Sequence, residues 1–74
     1  MSTTKVQHNI KISKLKFMRI SRGLKQSELS ILSGVPIKCI GNYEQLRRDL
    51  NHAQALTVYR LAKALDCSME ELLD

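Results

Sequence analysis

At 74 residues the chain is one domain, near the lower size limit for a core without disulfide or metal staples, and too small to enclose a deep pocket beside that core. Its net charge of +5 is uneven: residues 1–48 carry ten Lys or Arg against two acids, whereas residues 49–74 carry two against five. This composition argues against an enzyme and for a polyanionic partner.

No apolar run approaches the roughly 18 residues that a membrane span needs, and no signal-peptide core is present. A soluble, cytoplasmic protein with no membrane association is expected. Cys39 and Cys67 lack CxxC or Cys/His spacing, so reduced thiols are expected, with no zinc site, no disulfide and no cofactor. His8 and His52 have no ligand company and read as ordinary polar residues. No cluster of His, Asp, Glu, Ser or Cys has the spacing of a catalytic group with a base beside it.

Residues 1–13 read as an N-terminal arm, with Val6, Ile10 and Ile12 as its apolar side chains; the same spacing fits a short strand or the start of a helix. From residue 14 to 74 the pattern predicts an all-α domain of five short helices. Ser13 is placed to cap a first helix over about 14–22, which turns Leu15, Met18 and Arg22 to one face and stops at Gly23. A second helix near 25–33 carries Leu29 and Leu32 at i and i+3, Gly34 ends it, and Val35-Pro36 opens a third near 36–45. Two short helices about a glycine-bearing turn make a helix-turn-helix, the shape of a DNA-reading unit. Asn51-x-x-Gln54 reads as a variant capping box for a fourth helix, whose Leu56, Leu61 and Leu65 with Ala55, Val58 and Ala62 supply much of the core. Ser68-x-x-Glu71 is a capping box for a fifth, burying Leu72 or Leu73. Asp66, where glycine would be easier, tolerates a left-handed backbone better than most residues.

With Ile40 as the inward centre of the third helix at 100° per residue, Tyr43 and Glu44 fall on the same side. Lys38, Asn42 and Gln45 project opposite, with Cys39 and Gly41 on the flanks. Lys, Asn and Gln side chains donate to guanine O6/N7 or pair with an adenine edge in the major groove. Ile37, only about 60° from inward, is open to two roles, pressing on a thymine methyl or forming an apolar shoulder of the core. Gly41 either allows close approach to DNA or is a neutral gap. Gln26 opens the second helix, where free N–H groups and the helix dipole favour a phosphate. Lys5, Lys11 and Lys14 can add a nonspecific electrostatic attraction, but each singly reads first as solvated surface charge.

The series Gly23-Leu24-Lys25-Gln26, Glu28-Leu29-Ser30, Gly34-Val35, Ile40, Tyr43-Glu44, Leu61-Ala62-Lys63-Ala64-Leu65 and Ser68-Met69-Glu70-Glu71-Leu72-Leu73 resembles the phage-repressor and Cro helix-turn-helix family, the xenobiotic-response-element type of bacterial regulator. The resemblance covers about residues 14–74 and implies a lambda-repressor-like fold. It also implies base contacts from Ile37, Lys38 and Asn42, a phosphate contact from Gln26, backbone or minor-groove contacts from Gln45, Arg47 and Arg48, and a partly buried ion pair between Arg19 and Glu44. The chain departs from the family at Lys25, Ser30, Pro36 and Leu46, where Ser or Thr, Ala, a polar cap and Gly are usual. If Leu46 takes a positive φ, the cost is roughly 1 to 2 kcal/mol.

The expected function is a sequence-specific transcriptional regulator, a repressor in the first instance, bound to double-stranded DNA as a homodimer because one domain reads about half a site. With no room for a separate dimerisation domain, pairing would use the fifth helix, the arm or cooperativity on DNA. The alternative is an antitoxin-type module that binds a partner protein and autoregulates through the same fold.

Overall fold

The computed structural model describes residues 12–73. Among them lie four α-helices: α1 (Lys14–Ser21), α2 (Gln26–Ser33), α3 (Ile37–Glu44) and α4 (Ala55–Ala64), with single 3-10 turns at Leu50–His52 and Met69–Glu71. The arm as far as residue 11, including Lys5, Val6, His8, Ile10 and Lys11, lies outside the described residues.

Ser13 Oγ accepts the Lys16 N–H at 3.0 Å and starts α1. Lys25 gives α2 no side-chain cap for the first-turn N–H groups; only the reverse half of a capping box forms, Glu28 Oε1 accepting the Lys25 N–H at 2.7 Å. Pro36 stands just before α3, its carbonyl accepting from Cys39 and Ile40.

Three of the four helices end in one device, a left-handed residue with two reverse hydrogen bonds across the last turn. Gly23 (φ 71°) does this after α1, Leu46 (φ 60°) after α3 and Asp66 (φ 54°) after α4. For α3 the bonds are Leu46 N–H to Tyr43 O at 3.2 Å and Arg47 N–H to Asn42 O at 2.9 Å. Glycine is absent from the position that costs most, because Leu46 is γ-branched and 46 % exposed. Leu46→Gly is therefore expected to stabilise the domain by about 1 kcal/mol, seen as a thermal midpoint raised by roughly 4 to 8 °C.

The core is a single cluster: Leu15, Leu29, Val35, Ile40, Leu50, Val58, Leu61, Ala62, Leu65 and Leu72. It seats α2 against both α3 and α4, and α1 against α3. The Arg22 guanidinium closes the far end of α4, donating to Leu65 O at 2.7 Å and Asp66 O at 3.1 Å.

Four sequence expectations need correction. The fifth helix is only a 3-10 turn: the Ser68–Glu71 capping box forms reciprocally, but Leu72 alone is buried after it, and one anchor does not propagate a helix. The Ser68 N–H, donating to Glu71, holds that carboxyl below the usual carboxylate range. The capping box expected at Asn51–Gln54 does not start α4. Burial of Leu50 pins a separate 3-10 turn there, with Asp49 Oδ1 accepting the Asn51 N–H at 2.9 Å, and α4 begins at Ala55 without a side-chain cap. Leu32 points outward at 61 % exposure, since α2 turns inward on Leu29 and Ser33, spaced i and i+4. Leu56 is 53 % exposed and Ala55 is exposed beside it, because the buried stripe of α4 is Val58, Leu61 and Ala62, continued by Leu65 at its C-cap.

Candidate nucleic-acid interface

The inward side of α3 is fixed by two fully enclosed residues of different chemistry. Ile40 is 0 % exposed in the core, and Glu44, one turn later, has a side chain only 1 % exposed. Burying a carboxylate is costly unless it is paired and hydrogen-bonded. Here Arg19 of α1 donates Nε to Glu44 Oε2 at 2.6 Å and Nη2 to Glu44 Oε1 at 3.0 Å. Its Nη1 donates to the Leu24 carbonyl at 2.7 Å. The same guanidinium thus ties α1, the α1–α2 turn and α3 together. The two-pronged contact with Glu44 pushes the Arg19 pKa further up, so its charge is permanent. Gln26 completes the carboxylate's shell, donating Nε2 to Oε1 at 3.0 Å.

With that side anchored, the opposite side of α3 faces solvent. Lys38 and Gln45 are exposed, and Asn42 is half-buried between them. Ile37 is 47 % exposed at the first position of the helix, which rules out a buried shoulder. Gly41 lies on the flank; a Cβ there would meet only Gln26 Oε1, at 4.0 Å. Arg47 and Arg48 follow the helix, both exposed. Among the described residues none of Lys38, Asn42, Gln45, Arg47 and Arg48 spends its side-chain donors on the protein itself. The single acid of α3, Glu44, is buried and paired, so the field at this surface is set by Lys38, Arg47 and Arg48 with Asp49 at its edge.

Lys38, Asn42 and Gln45 thus lie on the side of α3 away from Ile40, Arg47 and Arg48 follow it in solvent, and Gln26 joins Arg19 at the enclosed Glu44. Sequence reasoning missed the Gln26–Glu44 hydrogen bond. Its signal was available in the inward direction of Glu44 and the position of Gln26 at the start of the neighbouring helix, but side-chain reach is not encoded in spacing. Lys14 Nζ donates to the Leu73 carbonyl at 2.8 Å, an exposed link between the start of α1 and the last described residue. Among the described residues no three His, Cys, Asp or Glu side chains gather as a metal site, and no helix is long and apolar enough to cross a membrane. Burial pushes the Cys67 thiol up, aided by Glu71.

Two helices joined at Gly34, the second anchored on one side and presenting unspent donors on the other, define a helix-turn-helix domain. The fold matches the crystal structure of the restriction-modification controller protein C.AhdI from Aeromonas hydrophila, with a TM-score of 0.72 and 32 % identity, covering 81 % of this chain and 86 % of that one. The chain belongs to the helix-turn-helix regulators, the family of that controller protein. No family model matches the chain, and no curated protein does.

Proposed function

We propose that this protein is a sequence-specific transcriptional repressor of the Cro and phage-repressor type, acting in a bacterial cytoplasm on double-stranded DNA. The observation that carries the reading is the division of α3: Ile40 and Glu44 are enclosed, and Lys38, Asn42 and Gln45 stand on the other side with donors unspent. In this reading Lys38 and Asn42 contact base edges in the major groove, and Ile37 packs on a thymine methyl. Gln26, Gln45, Arg47 and Arg48 hold the sugar-phosphate backbone and set the register of α3 without reading sequence. Two copies bind a twofold-related operator, because one α3 spans about half a site.

The test is a gel-shift titration against a random duplex pool at several salt concentrations. Binding is expected at low salt and to fall steeply toward physiological salt as condensed counterions are released. Arg48→Ala is expected to weaken binding to all duplexes alike and to reduce the salt slope by about one phosphate contact. Absence of binding to any duplex at low salt would remove the assignment.

A protein-partner reading has its own support. Ile31 (81 % exposed) and Leu32 (61 %) on α2, with Leu56 (53 %) and Tyr59 (49 %) on α4, leave apolar side chains in solvent. Such surface suits a partner protein, as an antitoxin-type module requires. Tagged protein co-purifying in fixed ratio with an unrelated chain would favour that reading.

A further inference from the structure

We propose that Gln26 is a positioning residue for the recognition helix, acting through Glu44, and thereby determines how sharply the domain discriminates between DNA sequences. The proposal rests on the DNA-reading function above and assigns Gln26 a task beyond contact with a phosphate.

Glu44 receives three hydrogen bonds, two from Arg19 on α1 and one from Gln26 at the first residue of α2. The Gln26 amide has only one workable orientation. An ionised carboxylate is an acceptor only, so Nε2 must face it and Oε1 must point away. Oε1 then lies beside Gly41, 4.0 Å from where a Cβ would stand. Gln26 therefore reaches across from α2 to α3, its Nε2 bonded at Glu44 and its Oε1 turned toward Gly41, and it carries a side-chain hydrogen bond from α2 to the end of α3 remote from Gly34. At the near end the covalent turn holds the two helices; at the far end this amide does.

The consequences differ from those of Arg19. Without Gln26, both Glu44 oxygens keep a donor from Arg19, so no buried charge is stranded and the fold survives. What is lost is the hydrogen bond that fixes the Glu44 end of α3 to α2, so that end can shift on its apolar seat around Ile40. Base-edge hydrogen bonds are directional, whereas attraction to phosphate tolerates such motion. Discrimination should fall while nonspecific binding persists.

The experiment measures Kd for a duplex enriched from a random pool and for a scrambled duplex of equal composition, well below the melting temperature, using the parent, Gln26→Met and Gln26→Lys. Methionine preserves length and removes the donor; lysine retains a donor for Glu44. The ratio of the two Kd values is expected to shrink roughly five- to tenfold in Gln26→Met, part of the cost of a mismatched base pair. Gln26→Lys should hold the ratio near the parent's while raising affinity for both duplexes. An unchanged ratio in Gln26→Met, with both affinities weakened equally, would overturn the proposal and leave Gln26 a backbone contact. A ratio as low in Gln26→Lys as in Gln26→Met would overturn it too. If the parent itself shows no discrimination, the DNA-reading function fails first, and the proposal falls with it. Should Gln26→Met not fold, the claim that Glu44 stays satisfied by Arg19 is wrong, and that also overturns it.

Discussion

Arg19→Met is expected to destabilise the domain by roughly 3 to 5 kcal/mol, the range for breaking one side of a buried ion pair. The Glu44 side chain is 1 % exposed and would keep only the Gln26 amide as a donor. For a chain of this size each kcal/mol moves the thermal midpoint by roughly 4 to 8 °C, so Arg19→Met should melt well below the parent. Glu44→Gln should fall less far, since its amide oxygen still accepts from Arg19. Replacing both partners, as Arg19→Met with Glu44→Leu, should recover much of the loss, because well-packed apolar side chains often match a buried pair. Thermal melts of the parent, the single variants and the double variant check this. Single variants as stable as the parent would show that the pair contributes nothing and that α3 is held by Ile40 and its neighbours alone.

Asn42→Ala and Lys38→Ala should each cost roughly 1 to 3 kcal/mol of discrimination at particular base pairs, the worth of one bidentate contact. Stability should change little, because neither side chain bonds to another described residue. Competition titrations with single-base-pair variants of an enriched duplex measure the loss position by position. Uniform weakening at every position would reassign these side chains to the backbone.

The helix-turn-helix was legible because its boundaries rest on residues with few conformational options. Gly23 and Gly34 do adopt left-handed backbone, and Ile40 does sit at the inward centre of α3. Leu46 and Asp66 were legible in a weaker sense: their positions at helix ends were clear, and both take positive φ, Leu46 at a cost in strain. What spacing alone left undecided was which of two neighbouring residues turns inward. Leu29 with Leu32 and Leu29 with Ser33 are both helical spacings, and only the approach of α3 and α4 selects the second. Leu56 was misassigned for a related reason, since it lies two residues from Val58 and a helix turns about 200° over that interval. The 3-10 turn at Leu50–His52 was invisible to helical periodicity because it is three residues long and held by one buried leucine and an Asp49 cap. Arg22 was expected on one face of α1 with Leu15 and Met18; its role in closing the end of α4 depends on side-chain reach across 43 residues of sequence.

The central claim, that the outer face of α3 reads bases, is tested most directly by selecting bound duplexes from a random pool with the parent and with Asn42→Ala in parallel. The parent should enrich two half-sites related by twofold symmetry, one helical turn or a multiple of it apart. Asn42→Ala should lose preference at one or two positions in each half-site and keep the others. An identical consensus from both proteins, or no enrichment by the parent at low salt, would contradict the account.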